Sequence, residues 1–356
     1  MTLNTYEFGW TDDITNEKID IKNLARITTV HKGFCRAISE EGDLNIYLSG
    51  KFFADEGLKL ATGDFLKISP RFIDEQNKSA AVVEEILPRR SKLSRVAAGK
   101  DVKEQVLVAN IDYVFIVTSL NEDFNLNRLQ RYVILAKEGG VTPVVILSKI
   151  DLVEDATEYA LEVKRCLSQI DVLLVSSLEE SGFESLLKYF KPGVTGAFVG
   201  SSGVGKSTMV NYLMKEAVQK TVEIRGDDGK GRHATTGREL FFLPQGGMIV
   251  DTAGLREVQI FAGGESLATA FKGISELMSE CKFSDCTHES EPGCAIRKAL
   301  DSGDLMRSDY ENYLKLQREA KFNENKMSKE KSSNSKTRWK EINKNYKARK
   351  KFESRD

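Results

Sequence analysis

The sequence has no long apolar run and few cysteines. No apolar run in the 356-residue chain approaches the length of about 18 residues that is needed to cross a bilayer, so we expect no membrane contact. No basic segment followed by an apolar one opens the chain, so we expect no secretory signal. Five cysteines, an odd number, favour thiols or metal ligands over disulfides in such a chain. We therefore expect a cytoplasmic protein.

The charge of the chain is unevenly distributed. Hydrophobic residues make up 40% and charged residues 29%, which is typical of a soluble globular protein. The net charge is −1, yet residues 321–356 contain 13 Lys and Arg against 5 Asp and Glu, a net of +8. The remaining residues carry about −9. This division predicts a basic tail that meets a polyanion, although a solvated tail remains the alternative.

Residues 200–208 read GSSGVGKST, which matches the phosphate-binding pattern G-x-x-x-x-G-K-[ST]. A short apolar run precedes the motif, and the following residues favour a helix. Such a loop turns several N–H groups and a helix N-terminus toward phosphate. Lys206 is expected to reach the β- and γ-phosphates, and Ser207 to ligate Mg²⁺. The predicted nucleotide contacts here are Gly200, Ser201, Ser202, Gly203, Val204, Gly205, Lys206, Ser207 and Thr208.

The first quarter of the chain is rich in short β-type runs. Residues 1–20 are polar and predict a flexible arm. Five strands are predicted within 21–88, near 25–30, 34–39, 44–48, 64–68 and 80–86. This spacing favours an OB-type barrel, a fold that often binds oligonucleotides, with other small barrels as the alternative. Residues 89–104 are basic and predict an irregular linker that can also contact phosphate.

From residue 105 apolar strand-like runs alternate with helical periodicity. This alternation predicts an α/β domain with a parallel sheet over 105–262. Ligands of such sheets bind beyond the carboxyl ends of the strands. The informative loops are therefore those that follow Leu147, Val175, Val199 and Val250.

Two of these loops resemble the elements with which GTPases read guanine. Residues 148–151 read Ser-Lys-Ile-Asp, similar to N-K-x-D, in which the Asp carboxylate accepts hydrogen bonds from guanine N1–H and N2–H₂. Adenine lacks these donors. Ser176 and Ser177 resemble the S-A-x element that braces guanine O6. The predicted guanine contacts are Ser148, Lys149, Ile150, Asp151, Ser176 and Ser177.

The loop after Val250 begins Asp-Thr-Ala-Gly, a D-x-x-G element with Asp251 and Gly254. Asp251 is a predicted magnesium-site residue, and the Gly254 N–H is expected to face the γ-phosphate. The Gly-rich stretch 225–238 contains Thr235 and Thr236, candidates for the threonine of a nucleotide-dependent switch that ligates Mg²⁺. The guanine elements precede the phosphate loop, and this order indicates a circular permutation.

No glutamine follows D-x-x-G to orient the attacking water, because Leu255 stands there. His233 in the switch stretch is the nearest substitute as a catalytic residue, and an idle loop histidine is the alternative.

A third cluster reads Cys281-x4-Cys286-x-His288-x5-Cys294. Three thiols and one imidazole within 14 residues match a Cys₃His set for one structural Zn²⁺. Free thiols and a surface histidine are the alternative. This cluster predicts a zinc-binding helical domain over 263–320, ahead of the tail 321–356.

Taken together, these motifs resemble the ribosome small-subunit-dependent GTPase A family of circularly permuted GTPases. The permuted order carries the resemblance, together with Arg89-Arg90-Ser91, residues 109–112 (Ala-Asn-Ile-Asp), the Gly231-Arg232-His233 stretch and the zinc spacing. Ser148 in place of Asn, Ala234 and the long tail depart from the family pattern.

The resemblance implies an OB domain, a GTPase domain and a zinc domain. It also implies a monomer that binds GTP and GDP, the small ribosomal subunit and its rRNA. The implied function is GTP hydrolysis in late maturation of that subunit. A P-loop kinase or ATPase and a non-hydrolysing binding module are the alternatives. Asp151 argues against the first, and Lys206, Ser207 and Asp251 argue against the second.

Overall fold

A computed structural model describes residues 5–11, 14–15, 19–31, 34–49, 59–96, 104–167, 169–214, 238–251, 267–268, 270–323 and 325–326. Within these residues the chain forms a barrel, an α/β domain and a group of C-terminal helices, as the sequence predicts. No helix in these ranges is both long enough and apolar enough to span a bilayer.

The N-terminal strands form a closed barrel. They are β1 Leu24–Val30, β2 Phe34–Ser39, β3 Gly42–Tyr47, β4 Phe65–Ile68, β5 Phe72–Ile73 and β6 Ser79–Ile86. β1, β2 and β3 pair antiparallel in sequence, β3 pairs β6 in parallel, β6 pairs β4, and β4 returns to β1. Only the two-residue β5 was not predicted. The predicted OB-type barrel is confirmed.

A parallel sheet forms the centre of the α/β domain. Its strands are β9 Tyr113–Ser119, β10 Thr142–Ser148, β11 Asp171–Val175, β12 Thr195–Val199, β13 Glu239–Phe242 and β14 Met248–Asp251. Their order across the sheet is β11-β10-β9-β12-β14-β13, and only β13 is antiparallel to its neighbour. β9, β10 and β12 are almost entirely buried, because helices cover both faces of such a sheet.

The helices of this domain connect the parallel strands. They are α1 Leu126–Glu138, α2 Ala156–Cys166, α3 Phe183–Leu187 and α4 Lys206–Leu213. Asn125 caps α1 and Asp155 caps α2, each by accepting a backbone N–H bond. α4 begins at Lys206, within the phosphate motif itself, because the phosphate loop leads directly into it.

The prediction of an irregular linker was wrong for residues 92–96. β7 (Lys92–Val96) pairs antiparallel with β8 (Glu104–Ala109) in a separate two-stranded ribbon. The two linker arginines that precede it are occupied by carboxylates. Arg89 contacts Asp64 at 2.6 Å and Arg90 contacts Asp112 at 3.0 Å. Arg89 thus attaches this segment to the barrel, and Arg90 attaches it to the α/β domain.

The flexible arm predicted for residues 1–20 was also wrong for its described part. Phe8, Trp10 and Ile14 are buried in the core that the barrel shares with the α/β domain, and Trp10 packs edge-on against Phe65 with ring centroids 5.2 Å apart. These apolar side chains stand singly among polar residues, so composition alone concealed their burial.

Arg26 of β1 is fully buried where the arm, the barrel and the α/β domain meet. Its guanidinium donates to the carbonyl oxygens of Phe8 at 2.7 Å and Asn110 at 2.6 Å, and to Thr195 Oγ1 at 3.0 Å. It also lies over the ring of Phe65. Burial lowers the pKa of Arg26 to about 9, so the group stays protonated at neutral pH. One cation therefore joins three parts of the chain.

The C-terminal helices are α5 (Lys272–Ser279), α6 (Ala295–Ser302) and α7 (307–323). α5 and α6 pack on each other, and α7 packs on α1. Asn312 of α7 donates to Gln130 of α1, and Arg131 of α1 pairs with Glu319 of α7 at 2.9 Å. α5 and α6 were not predicted, since each is only eight residues long.

Candidate nucleotide site and metal centre

The phosphate loop follows the carboxyl end of β12. Gly200 has φ +142°, and a Cβ there would lie 2.2 Å from the carbonyl oxygen of Val117, so only glycine fits where the loop leaves the sheet. Lys206 is buried, and its ammonium donates to the carbonyl oxygens of Gly200 at 2.8 Å and Ser201 at 2.5 Å. The lysine thus lies within the curve of the loop, at the N-terminus of α4, where an anion is favoured.

The guanine-type loop after β10 contacts the phosphate loop directly. Ser148 is 2% exposed, and its Oγ lies 2.7 Å from the carbonyl oxygen of Val204 and 3.2 Å from that of Thr118. Because a hydroxyl has one proton, the shorter contact is the principal bond. Ser148 therefore links the two loops, a role that no neighbouring residue in the sequence indicates.

Asp151 lies in the turn that follows, and a second loop orients it. Lys149 has a left-handed backbone with φ +57°, and this bend brings Asp151 toward the loop after β11. There the buried Ser176 donates from Oγ to Asp151 Oδ1 at 2.5 Å, and the same Oγ accepts the N–H of Glu179 at 3.1 Å. Asp151 Oδ1 is thus held in place by this contact. Ser177 follows in the same loop and is half-buried.

Asp251 closes β14 beside the phosphate loop. β14 pairs β12 in parallel with Ala197 opposite Val250, so Asp251 begins its loop at the same edge as the loop after Val199. Ser207 is exposed at the first turn of α4. The predicted His233, Thr235, Thr236 and Gly254 lie outside the described residues, and their roles stay predictions.

The four residues of the Cys/His cluster come together at the start of α6. The ligand atoms of Cys281, Cys286, His288 and Cys294 lie within 4.8 Å of one another. His288 Nδ1 is 3.5 Å from the Sγ atoms of both Cys281 and Cys294. Four converging N and S ligands fit a tetrahedral ion with a closed coordination shell. The cluster can therefore hold one metal ion.

Two thiols of this cluster differ in how readily they become the thiolates that a metal ion requires. Against the opposing effect of burial, N–H groups of Ala295 and Ile296 at the N-terminus of α6 lower the pKa of Cys281. Burial raises the pKa of Cys286 to about 11, so this thiol needs the ion itself to become a thiolate.

Glu291 orders the loop that carries the metal ligands, and the sequence analysis did not identify it. Glu291 accepts from Thr287 Oγ1 at 2.5 Å, from Thr287 N at 2.7 Å and from Ser290 N at 3.0 Å. These bonds, first that of the Thr287 hydroxyl, lower the pKa of Glu291 to about 2. These bonds fix the loop from Thr287 to Glu291, which contains His288. The only sign of this role in the sequence is the position of a glutamate between the ligands His288 and Cys294.

Comparison with known proteins agrees with this site. The family described as RsgA GTPase matches residues 86–261. The chain is 40% identical to the small ribosomal subunit biogenesis GTPase RsgA 2 of Listeria monocytogenes, over 97% of this chain and 96% of the relative. It is 38% identical to the small ribosomal subunit biogenesis GTPase RsgA of Opitutus terrae, over the full length of both.

Two solved structures share the fold. YjeQ from Thermotoga maritima superposes with a TM-score of 0.62 and 27% identity, covering 84% of this chain and 98% of that one. YloQ, described as a circularly permuted GTPase, superposes with a TM-score of 0.59 and 24% identity, covering 84% and 94%. The second likeness concerns the fold alone.

Proposed function

Because the chain belongs to the RsgA GTPase family, we propose that it hydrolyses GTP to GDP and phosphate on the small ribosomal subunit and assists late maturation of that subunit. The observation that carries the proposal is the contact between Ser148 and the phosphate loop at Val204. It joins a guanine-selective carboxylate and a phosphate loop into one site, which a phosphate loop alone would not supply.

The proposed site divides recognition between two sets of groups. Asp151, braced by Ser176, accepts from guanine N1–H and N2–H₂, so adenine is rejected for want of donors. Loop N–H groups and Lys206 bind the phosphates. Ser207, Asp251 and one of Thr235 and Thr236 are the proposed magnesium residues. Mg²⁺ would neutralise the charge that develops on the phosphate oxygens.

Hydrolysis requires a group that orients water. Leu255 has no hydrogen-bonding atom in its side chain, so we assign this role to His233, whose neutral imidazole can accept a proton. Docking on the subunit would favour the competent arrangement of this histidine. Intrinsic hydrolysis is therefore slow and subunit-stimulated hydrolysis fast.

The proposed partner surfaces are the barrel and the basic tail. Residues 321–356 carry a net charge of +8, suited to rRNA phosphates, and barrels of this type bind oligonucleotides. The ion in the Cys281 cluster is assigned as Zn²⁺ on its sulfur-rich ligands. We further propose that the protein is a cytoplasmic monomer.

The test measures multiple-turnover phosphate release from GTP, alone, with purified small subunits and with large subunits. We expect strong stimulation by small subunits only. Lys206→Ala should lose both nucleotide binding and turnover, whereas His233→Ala should keep GTP binding and lose most of the stimulated rate. The exposed Glu158 of α2 lies outside both proposed partner surfaces and provides the control, because Glu158→Ala should be stimulated like the parent.

Two results would count against the proposal. A parent protein that small subunits do not stimulate would refute the ribosomal assignment. A His233→Ala variant that is stimulated like the parent would remove the histidine from catalysis and leave the rest intact.

A further inference from the structure

The barrel is continuous with the sheet that carries the nucleotide loops. β1 pairs β13 with Thr29 opposite Glu239, and β13 pairs β14 with Glu239 opposite Asp251. Thr29, Glu239 and Asp251 therefore lie in one row across three neighbouring strands. The row runs from a barrel strand to a proposed magnesium residue.

A second contact holds β13 at its first residues. Thr62 of the barrel is 2% exposed, and its Oγ1 donates to the carbonyl oxygen of Arg238 at 3.1 Å. Arg238 directly precedes Glu239 and follows Thr236 by two residues. The barrel thus contacts the start of β13 twice. The Thr62 side chain binds the carbonyl oxygen of Arg238, and β1 pairs with β13 at Glu239.

The segment that carries Thr62 is itself fixed against the α/β domain. The carbonyl oxygen of Thr62 accepts the N–H of Ala109 at 2.9 Å. Gly63 has φ +91°, and a Cβ there would lie 2.1 Å from the carbonyl oxygen of Ala109. This close approach leaves the Thr62 hydroxyl little freedom, so its position is determined by both domains.

The side chain of Arg238 is constrained as well. It is half-buried, and burial together with the nearby charge of Arg95 lowers its pKa. Arg95 lies on β7, where it donates to Gln105 of β8 at 3.1 Å. The Arg238 side chain therefore lies near the ribbon, and the Thr62 bond adds a directional contact from the barrel to its backbone.

We propose that Thr62 is a positioning residue for GTP hydrolysis. Its bond to Arg238 sets where β13 begins, and the register of β13 with β14 carries that position to Asp251. Small displacements of metal-holding or catalytic groups reduce turnover far more than they reduce ground-state binding. The inference rests on the proposed GTPase function and assigns part of the site's geometry to the barrel.

The test compares Thr62→Val, which keeps the shape and removes the donor, with Thr62→Ser, which keeps the donor. Each is assayed for kcat and KM for GTP and for the Mg²⁺ concentration giving half-maximal rate, with and without small subunits. For Thr62→Val we expect kcat to fall about three- to tenfold, the size of one lost hydrogen bond. KM should be unchanged and the Mg²⁺ requirement higher, and Thr62→Ser should recover the parent values.

Ser39 provides the matched control. It is a fully buried barrel serine, and its Oγ donates to the carbonyl oxygen of Gly42 at 2.8 Å, within the barrel itself. Ser39→Ala should lower the melting temperature without changing kcat or the Mg²⁺ requirement. If Thr62→Val is too unstable to assay, Thr62→Cys, a much weaker donor, replaces it.

The outcomes separate the two proposals. If the Thr62 variant that lacks the hydroxyl matches the parent in kcat and Mg²⁺ requirement, the inference is overturned even when subunits stimulate both. If subunits stimulate neither protein but the intrinsic kcat falls as expected, the ribosomal assignment fails and the positioning role stands. A fall in kcat that Ser39→Ala shares, or that Thr62→Ser does not rescue, also overturns the inference.

Discussion

The contact between Ser148 and Val204 predicts that one hydroxyl contributes to nucleotide affinity without touching the nucleotide. Ser148→Ala removes only the oxygen of a side chain that is 2% exposed. The change leaves the carbonyl oxygen of Val204 without its 2.7 Å donor. The guanine-type loop and the phosphate loop then lose their side-chain link, and nucleotide binding must bring them together.

The expected size follows from the geometry. The principal bond is short and buried but involves two neutral groups, so its net worth is about 0.5–1.5 kcal/mol. If that free energy is lost from the bound state, affinity for GDP and GTP falls about two- to tenfold. Ser148→Asn retains an N–H donor and should bind as well as the parent or better.

Equilibrium titration with a fluorescent GDP analogue, followed by competition with GTP, measures the effect. Ser181 offers the control, because its buried Oγ has no hydrogen-bond partner among the described residues and it lies across an isolated bridge from Ser176. Ser181→Ala should leave affinity unchanged. Equal affinity of Ser148→Ala and the parent would refute the idea that this bond supports the bound site.

Two further predictions concern the carboxylate and the metal cluster. Asp151→Asn should weaken GTP binding by about 2–5 kcal/mol, the usual loss for one partner of a buried charged hydrogen-bond pair. Calorimetry measures this loss, with Glu154→Gln at an exposed position as the control. An affinity equal to that of the parent would rule out guanine recognition by Asp151. Elemental analysis should find one zinc per chain in the parent and much less in Cys286→Ala, which should also melt at a lower temperature because such ions contribute folding free energy. Cys166→Ala, outside the cluster, should keep its metal. Parent protein that is purified without chelator and contains no metal would contradict the assignment.

Strands and nucleotide loops were predictable because their signals are local. The apolar run 144–147 became the centre of β10, and the loop from Ser148 to Asp151 followed at its carboxyl end. The Cys281 cluster was predictable for the same reason, since its four ligands lie within 14 residues. In each case neighbouring residues carry enough information to define the feature.

The contacts between distant segments were not predictable. Thr62 and Arg238 are 176 positions apart, and Arg26 and Thr195 are 169 apart. A threonine in the segment before β4 and an arginine in β1 carry no local sign of such partners. Arg89 and Arg90 were read as part of a basic linker because their carboxylate partners, Asp64 and Asp112, lie in other segments.

The joint at Arg26 has a consequence for how this protein can be rebuilt from parts. Two of its shortest bonds end on the main-chain carbonyls of Phe8 and Asn110, and a weaker one ends on that of Gly63 at 3.4 Å. Because every residue has a backbone carbonyl, the hydrogen bonds of Arg26 do not require particular side chains at those positions. A barrel transplanted from a relative would therefore fit this α/β domain if it brought an arginine at the equivalent place and the same backbone path. Chimaeras built on that rule must also keep the glycine at 63 and the carboxylate at 64, because Gly63 lies against the backbone of Ala109 and Asp64 pairs with Arg89.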